Sequence, residues 1–246
     1  MPSTLSGSEE LGSSSQSQRS GAQRDCDSCA VRSLSICAGI EAGDFKTFRD
    51  LGQSEVFDFG GSLFREGDPS QAVYSITEGM VRMSRVLADG RRCVIGFAMP
   101  GDFIGLPQGS RHTYSADAVD RTVACRFERD AFVAFAGASP KLLLGLHTSA
   151  LRWLDLARDQ ITMVGSANVR LAAFLLWVRE RSGRLGSRSA LVRLPMLRRD
   201  IADFLGMTIF TVSRTLSRLG RQHLIVVVPG GVRILDLPRI ERLAGR

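Results

Sequence analysis

The segment that most limits the fold is "LPMLRRDIADFLGMTIFTVSRTLSRLGRQHLIVVVPGGVRIL", residues 194–235. Two short helical patterns meet at Gly206, where a residue without a side chain allows a tight bend, and Thr208 is placed to cap the second pattern. Counting from that cap, Ile209, Val212, Leu216 and Leu219 recur at steps of 3, 4 and 3, which is one apolar helical face. The opposite face carries Phe210, Ser213, Arg214, Ser217, Arg218 and Arg221. A solvated face ordinarily mixes charges, whereas this one has three arginines, two serines and no acid. Guanidinium groups pair with phosphates or guanine edges and hydroxyls with either, so the face suits a helix laid against DNA. The apolar run that follows breaks at Pro229-Gly230-Gly231, which gives two strands and a turn, the pattern of a hairpin wing. A winged helix-turn-helix is therefore expected; the plainer alternative is a small helical module with a basic surface.

Upstream the periodicity is different. From about Asp44 to Phe135, short apolar stretches alternate with "FGGS", "REGDPS", "TEGM", "LADGRR" and "MPGDF". Glycine supplies the positive φ that such turns need, and strands at 73–76, 79–87 and 92–98 fit between them, as in an antiparallel β-roll. Ser139 and Pro140 then read as N-cap and first residue of a helix that Gly165 ends. Along it Leu142, Leu146, Ser149, Trp153, Leu156, Gln160 and Met163 form a narrow stripe like a two-helix seam. The same stripe could instead pack on its own domain. A second helix follows from the Ser166 cap to Gly183, with Val169, Ala172, Ala173, Leu176 and Trp177 on one face.

The first 24 residues are rich in serine and glycine and poor in large apolar side chains, so they are expected to be a disordered tail. Apolar runs such as "LAAFLLWV" at 171–178 fall short of the roughly 20 residues that cross a bilayer, so no membrane span is expected. The N-terminus does not read as a secretory signal, having no positive start followed by an apolar core, so the chain is expected to stay in a reducing cytoplasm. Thirty-two basic against twenty-five acidic residues, a formal charge of +7, favour a polyanionic partner where the excess is clustered. In that setting the five cysteines suggest metal or redox chemistry before structural disulfides. Three of them, Cys26, Cys29 and Cys37, crowd into "RDCDSCAVRSLSICAGI". Cys93, in "RRCVIGF", reads as a small strand residue.

A β-roll, a long helix and a winged helix-turn-helix together resemble the CRP/FNR superfamily of bacterial transcription regulators. "NVRLAAFLLWV" and "RRDIADFLGMTIFTVSRTLSRL" look like that family's helix before the reader and its DNA-binding signature, and "FREGD", "EGMVRMSR" and "PGDFIG" like its β-roll turns. The resemblance implies an α+β fold, double-stranded DNA as ligand, a homodimer, RNA polymerase as a further partner and no enzymatic activity. It further implies contacts to DNA from Phe210, Ser213, Arg214, Ser217 and Arg218, with Ser213 and Arg214 matching the family's "SR" pair. Phe210 stands where the family usually has a glutamate that accepts a hydrogen bond from cytosine, so a different base is expected opposite it. Leu197 replaces a polar cap, which weakens the start of the first reader helix by about 1 kcal/mol. Asp155 matches an acidic position in the family's dimer helix, where unpaired like charges across a seam make association marginal.

The FNR-type branch has three N-terminal cysteines and a fourth near the end of the roll that together hold a 4Fe-4S cluster. Cys125 in "VACRF" sits at the matching place, so Cys26, Cys29, Cys37 and Cys125 are the implied ligands. The seven residues between Cys29 and Cys37 resemble a variant of the branch with a longer gap. Zinc binding, a disulfide switch without metal, and control by a small-molecule ligand stay open as alternatives. Cyclic-nucleotide binding is disfavoured, because Tyr114, Ser115 and Ala116 stand where that group of relatives has an arginine for the cyclic phosphate. The chain then divides into tail (1–24), cysteine-rich cluster arm (25–43), β-roll sensor domain (44–137), dimerisation helix (138–165) and DNA-binding domain (166–246).

Overall fold

The structure, a computed structural model, describes residues 18–19, 26–184, 186 and 189–246. The tail expected to be disordered lies outside these residues, except that Gln18–Arg19 (β1) pair antiparallel with Val56 and Glu55. Eight strands follow, all but the last pair separated by turns that contain glycine or proline: β2 (Gly52–Phe57), β3 (Ser62–Phe64), β4 (Ala72–Glu78), β5 (Val81–Val86), β6 (Arg92–Ala98), β7 (Phe103–Ile104), β8 (Ser115–Ala118) and β9 (Thr122–Glu128). They form two antiparallel sheets, β1-β2-β9-β4-β7 and β3-β8-β5-β6. Alternation along the strands sends Phe57, Tyr74, Ile76, Val81, Met83 and Ala124 into one shared core, which is the β-roll.

Helix α1 (Phe45–Asp50) precedes the roll, and α2 (Arg129–Ala138) closes it. The chain then breaks at Ser139, whose hydroxyl accepts the Leu142 N–H at 3.4 Å, and Pro140 starts the long α3 (Pro140–Thr162). The stripe expected as a seam between two helices faces the protein's own core instead. Leu142 packs with Phe103 and Phe132, and Leu156 and Met163 join the cluster around Phe97 and Phe204. Trp153 donates its indole N–H to the Phe103 carbonyl at 3.1 Å. Of the polar members of the stripe, Ser149 is buried and Gln160 lies 3.4 Å from the Phe204 carbonyl and 3.5 Å from that of Val94. Away from this stripe, on the outward side of the helix, Leu144, Leu151, Leu154 and Ile161 are exposed.

Helix α4 (Ala167–Gly183) is buried on more than one face, because the roll lies on one side and the reader on the other. The reader comprises α5 (Arg198–Leu205), α6 (Ile209–Arg221), α7 (Leu237–Leu243) and the sheet β10-β12-β11 of Leu191–Arg193, Gly231–Ile234 and Ile225–Val228. Register Val228↔Gly231 leaves Pro229 and Gly230 as the turn of the wing. One core spans both units: Phe97 of the roll lies 5.5 Å from Phe204 and 6.4 Å from Phe174, centroid to centroid. Full burial of an aromatic side chain of this size contributes about 1.5–3 kcal/mol, so this cluster supplies much of the adhesion between the two units.

Candidate nucleic-acid interface and cysteine arm

The helix-turn-helix is built by local chemistry. Gly206 takes φ 60° and ψ 43°, and its N–H reaches the carbonyls of Ala202 and Asp203, ending α5. Arg170 of α4 secures the bend by donating to the Leu205 carbonyl at 2.8 Å and the Gly206 carbonyl at 3.3 Å. Thr208 caps α6, its hydroxyl accepting the Thr211 N–H at 3.1 Å. Leu197 offers no side-chain cap to α5, but Asp200 accepts the Leu197 N–H at 3.2 Å and so supplies half of a capping box.

The inner face of α6 is Val212, Thr215, Leu216 and Leu219; Ile209, expected inside, is 41% exposed because the chain has only just left the turn there. On the outer face Phe210 is 81% exposed, and Arg214, Ser217, Arg218 and Arg221 are exposed. Ser213 is half-buried and accepts a hydrogen bond from Arg198 at 3.1 Å. Ser217 donates back to the Ser213 carbonyl at 3.1 Å. The hydroxyl of Ser217 is thus committed to its own helix as a donor and faces solvent as an acceptor. Three guanidinium-bearing positions flank one apolar ring, with no carboxylate on the same face.

The arm is docked rather than loose. Two 3-10 turns, Arg32–Leu34 and Ile36–Gly39, lie against the start of α3, with Val31, Ile36 and Ile40 buried. Arg152 of α3 donates to the Leu34 carbonyl at 3.4 Å, and Lys141 pairs with Glu41 at 3.0 Å. Cys37 and Cys125, 88 positions apart, both border the apolar cluster of Phe48, Phe127, Phe132 and Leu142. Cys26, Cys29, Cys37 and Cys125 are each partly buried. Among the described residues no three His, Cys, Asp or Glu side chains come together to hold one metal ion. Four soft thiolate donors fit iron–sulfur ligation by type, and the docked arm brings Cys37 to the cluster that Cys125 borders. Cys93 is half-buried in β6 and lines a basic cleft with Arg91, Arg92, Arg170 and Arg199.

Between the roll and α3 lies a cleft of about 770 Å³, lined by Ile95, Phe103, Leu106, Tyr114, Trp153 and Leu156 among others, with no arginine or lysine. The Tyr114 hydroxyl accepts the Gly105 N–H at 3.3 Å, and burial raises its pKa. Behind the cleft, Arg181 of α4 is buried against Asp102 and donates to the Phe97 carbonyl at 2.6 Å. Burial lowers the pKa of Arg181, and the Asp102 charge opposes that shift. Its guanidinium also lies 4.8 Å from the Trp177 ring.

A second ionic group joins roll and reader. Arg82 of β5 donates to Asp200 at 3.0 Å and to Asp117 at 2.9 Å. Arg92 of β6 donates to Asp200 and Asp203, both at 2.7 Å. Burial opposes the charge of Arg92, but its bonds to Asp203 and the charges of both aspartates raise its pKa. None of Asp102, Arg181, Arg82, Arg92 and Asp200 stands out as an interdomain contact in the sequence; the only local signal is Asp200 at the third position of a helix that lacks a polar cap.

Residues 169–243 match the family model of the Crp-like helix-turn-helix domain, and residues 54–138 that of the cyclic nucleotide-binding domain. The chain is 45% identical over 218 residues to the transcriptional activatory protein AadR of Rhodopseudomonas palustris, covering 88% of this chain and 91% of that protein. It is 42% identical to the nitrogen fixation regulation protein FixK of Bradyrhizobium diazoefficiens, over 89% of this chain and 93% of FixK. The solved structure of FixK2 from Bradyrhizobium japonicum superposes with a TM-score of 0.71 at 30% identity, over 78% of this chain and 96% of that one. With relatives that are regulators along nearly their whole length, and with the β-roll and winged reader both present, the chain belongs to the CRP/FNR superfamily of transcription regulators.

Proposed function

We propose that this regulator binds a near-palindromic DNA site as a homodimer, and that it senses oxygen or redox state through a 4Fe-4S cluster on its three N-terminal thiols and Cys125. The observation that carries the DNA-binding reading is the outer face of α6, exposed, arginine-bearing and free of acid. Arg214 is the residue placed for a bidentate contact to guanine, and Arg218 and Arg221 for phosphates. The support for a homodimer is the exposed row Leu144, Leu151, Leu154 and Ile161 on α3, spaced 7, 3 and 7 as in a heptad seam. Asp155 flanks that row and pairs with Arg158 at 3.2 Å, which offsets part of the repulsion that two facing aspartates would create. RNA polymerase is the expected further partner, and the cytoplasm the expected compartment; among the described residues no helix is long and apolar enough to cross a membrane.

Cys26, Cys29, Cys37 and Cys125 would hold a 4Fe-4S cluster. When bound, such a cluster supplies a redox-active centre whose potential follows its charge, hydrogen bonds and exposure. The chain's own contribution is the contact between arm and α3: Ile36 and Gly39 lie on the turns of α3 that carry Lys141 and Gly145, so a change in arm position acts at the start of that helix. Protein purified without air and found to contain iron, sulfide and visible absorption that air removes, together with air-sensitive DNA binding, supports the reading. A colourless, iron-free protein that still binds DNA removes the cluster and leaves the DNA-binding reading in place. Zinc in that protein, or a disulfide formed in air, identifies the competing thiol chemistries.

A second reading rests on the apolar cleft. Its volume and lining suit a small apolar effector. A cyclic phosphate there would meet Tyr114 in place of a guanidinium, which argues against a cyclic nucleotide. Saturable binding of a small ligand that changes DNA affinity equally in air and without it would favour this reading over the redox one.

A further inference from the structure

The Asp200 side chain is 1% exposed although it sits in the first turn of α5. One of its oxygens receives Arg82 at 3.0 Å and Arg92 at 2.7 Å, both from the roll, and the other accepts the Leu197 N–H. Arg82 is itself held to the roll by Asp117 at 2.9 Å. An ionic group buried this far costs desolvation about as large as its attraction, so it is a poor source of adhesion. The Phe97, Phe174 and Phe204 contacts already supply adhesion, but an apolar interface of that kind tolerates sliding and rotation. Charge-assisted guanidinium–carboxylate hydrogen bonds have a direction, and here one from Arg82 and one from Arg92 meet on a single Asp200 oxygen and tie the first reader helix to adjacent strands of the roll. Gln160 brings α3 to the same joint through the Val94 and Phe204 carbonyls. The outer face of α6 stays exposed in this arrangement, so the joint holds the reader without covering its DNA surface.

We propose that Asp200, clamped by Arg82 and Arg92, is a positioning residue that sets the separation and angle of the two reading helices in the dimer, and so the half-site spacing the regulator accepts. The inference rests on the dimeric DNA-binding reading above. One base pair added between half-sites rotates one of them by about 35° and moves it by about 3.4 Å. A clamped reader cannot follow that displacement. A reader held by apolar contacts alone can.

The test uses the full chain and its R82Q/R92Q double variant. Each is measured for dimerisation by sedimentation, and for affinity to a selected palindrome, to the same palindrome with one base pair inserted in the spacer, and to a single half-site. The native protein is expected to lose about tenfold or more in affinity on insertion, whereas the double variant loses less than about threefold. Dimerisation and half-site affinity are expected to be the same in both. R92K, which keeps the charge, restores part of the discrimination, which a purely structural defect would not do. If the double variant fails to fold, R92Q alone is compared with R92K in the same assays, since Arg92 is 29% exposed. A folded, dimeric variant with the full spacing penalty overturns the inference. A native protein that does not dimerise or does not bind the half-site overturns the underlying DNA-binding reading and the inference with it.

Discussion

Gly39 of the cysteine arm stands so close to Lys141 at the start of α3 that a Cβ at residue 39 would come within 2.5 Å of the Lys141 carbonyl oxygen. The clash would be with backbone, which cannot swing aside. Gly39→Ala should therefore lift the arm from α3 at a cost of about 1–3 kcal/mol. Hydrogen exchange is the measurement: residues 31–40 and the first turns of α3 should lose protection while the reader keeps its own. Unchanged protection at the arm would show that the contact is not tight in solution.

The two faces of α3 separate dimerisation from folding. Leu154 is 47% exposed and Leu156 is 8% exposed, two residues apart on the same helix. Leu154→Asp should yield a monomer with little loss of thermal stability. Leu156→Ala should leave the dimer intact and lower stability by about 2–5 kcal/mol through the cavity it leaves. Sedimentation and thermal melts of both variants decide the assignment, and a monomeric Leu156→Ala with a dimeric Leu154→Asp would reverse it.

Base reading divides between two residues of α6. Arg214→Ala should cost about 1–3 kcal/mol on the preferred site and relax the preference at one base pair. Phe210 has no hydrogen-bonding group to offer and presents 81% of its surface. Selection from randomised sites should return a thymine methyl, or no preference, opposite it, and Phe210→Glu should shift the choice toward C·G. An undiminished preference for the G·C pair by the native protein would refute this assignment.

His112 makes the roll acid-sensitive. It is 5% exposed, stacks on Phe64 at 3.9 Å between centroids, and its Nδ1 has no hydrogen-bond partner. Burial lowers its pKa from 6.5, opposed by Asp68, while Arg129 adds to the lowering. The unfolded chain therefore binds this proton more readily than the folded one. Stability is complete above pH 6.5 and falls as the pH drops from there toward the lowered native value. His112→Phe keeps the stacking and removes the proton site, so its melting temperature should fall less than that of the native protein between pH 7 and pH 5. Parallel pH profiles for the two proteins would rule out His112 as the cause.

Much of the molecule is legible along the chain because its signals are local. Glycine-marked turns, the Ser139-Pro140 start, the Thr208 cap and the Pro229-Gly230 turn act within a few residues, and each element forms where those residues place it. The outer face of α6 is equally local, since a helical period and residue type suffice to separate Arg214 and Arg218 from Val212 and Leu216. The period of α3 was not enough. Its apolar residues occupy two rows, and only the roll and reader packed against Trp153, Leu156 and Gln160 decide which row is inward. The placement of Cys37 beside the cluster that Cys125 borders, the arm on α3, and the Arg82–Asp200–Arg92 clamp are likewise tertiary. Their partners lie 88 to 118 residues apart, and no short-range propensity encodes a contact across such a distance. Burial and charge pairing choose it only when the whole chain has closed.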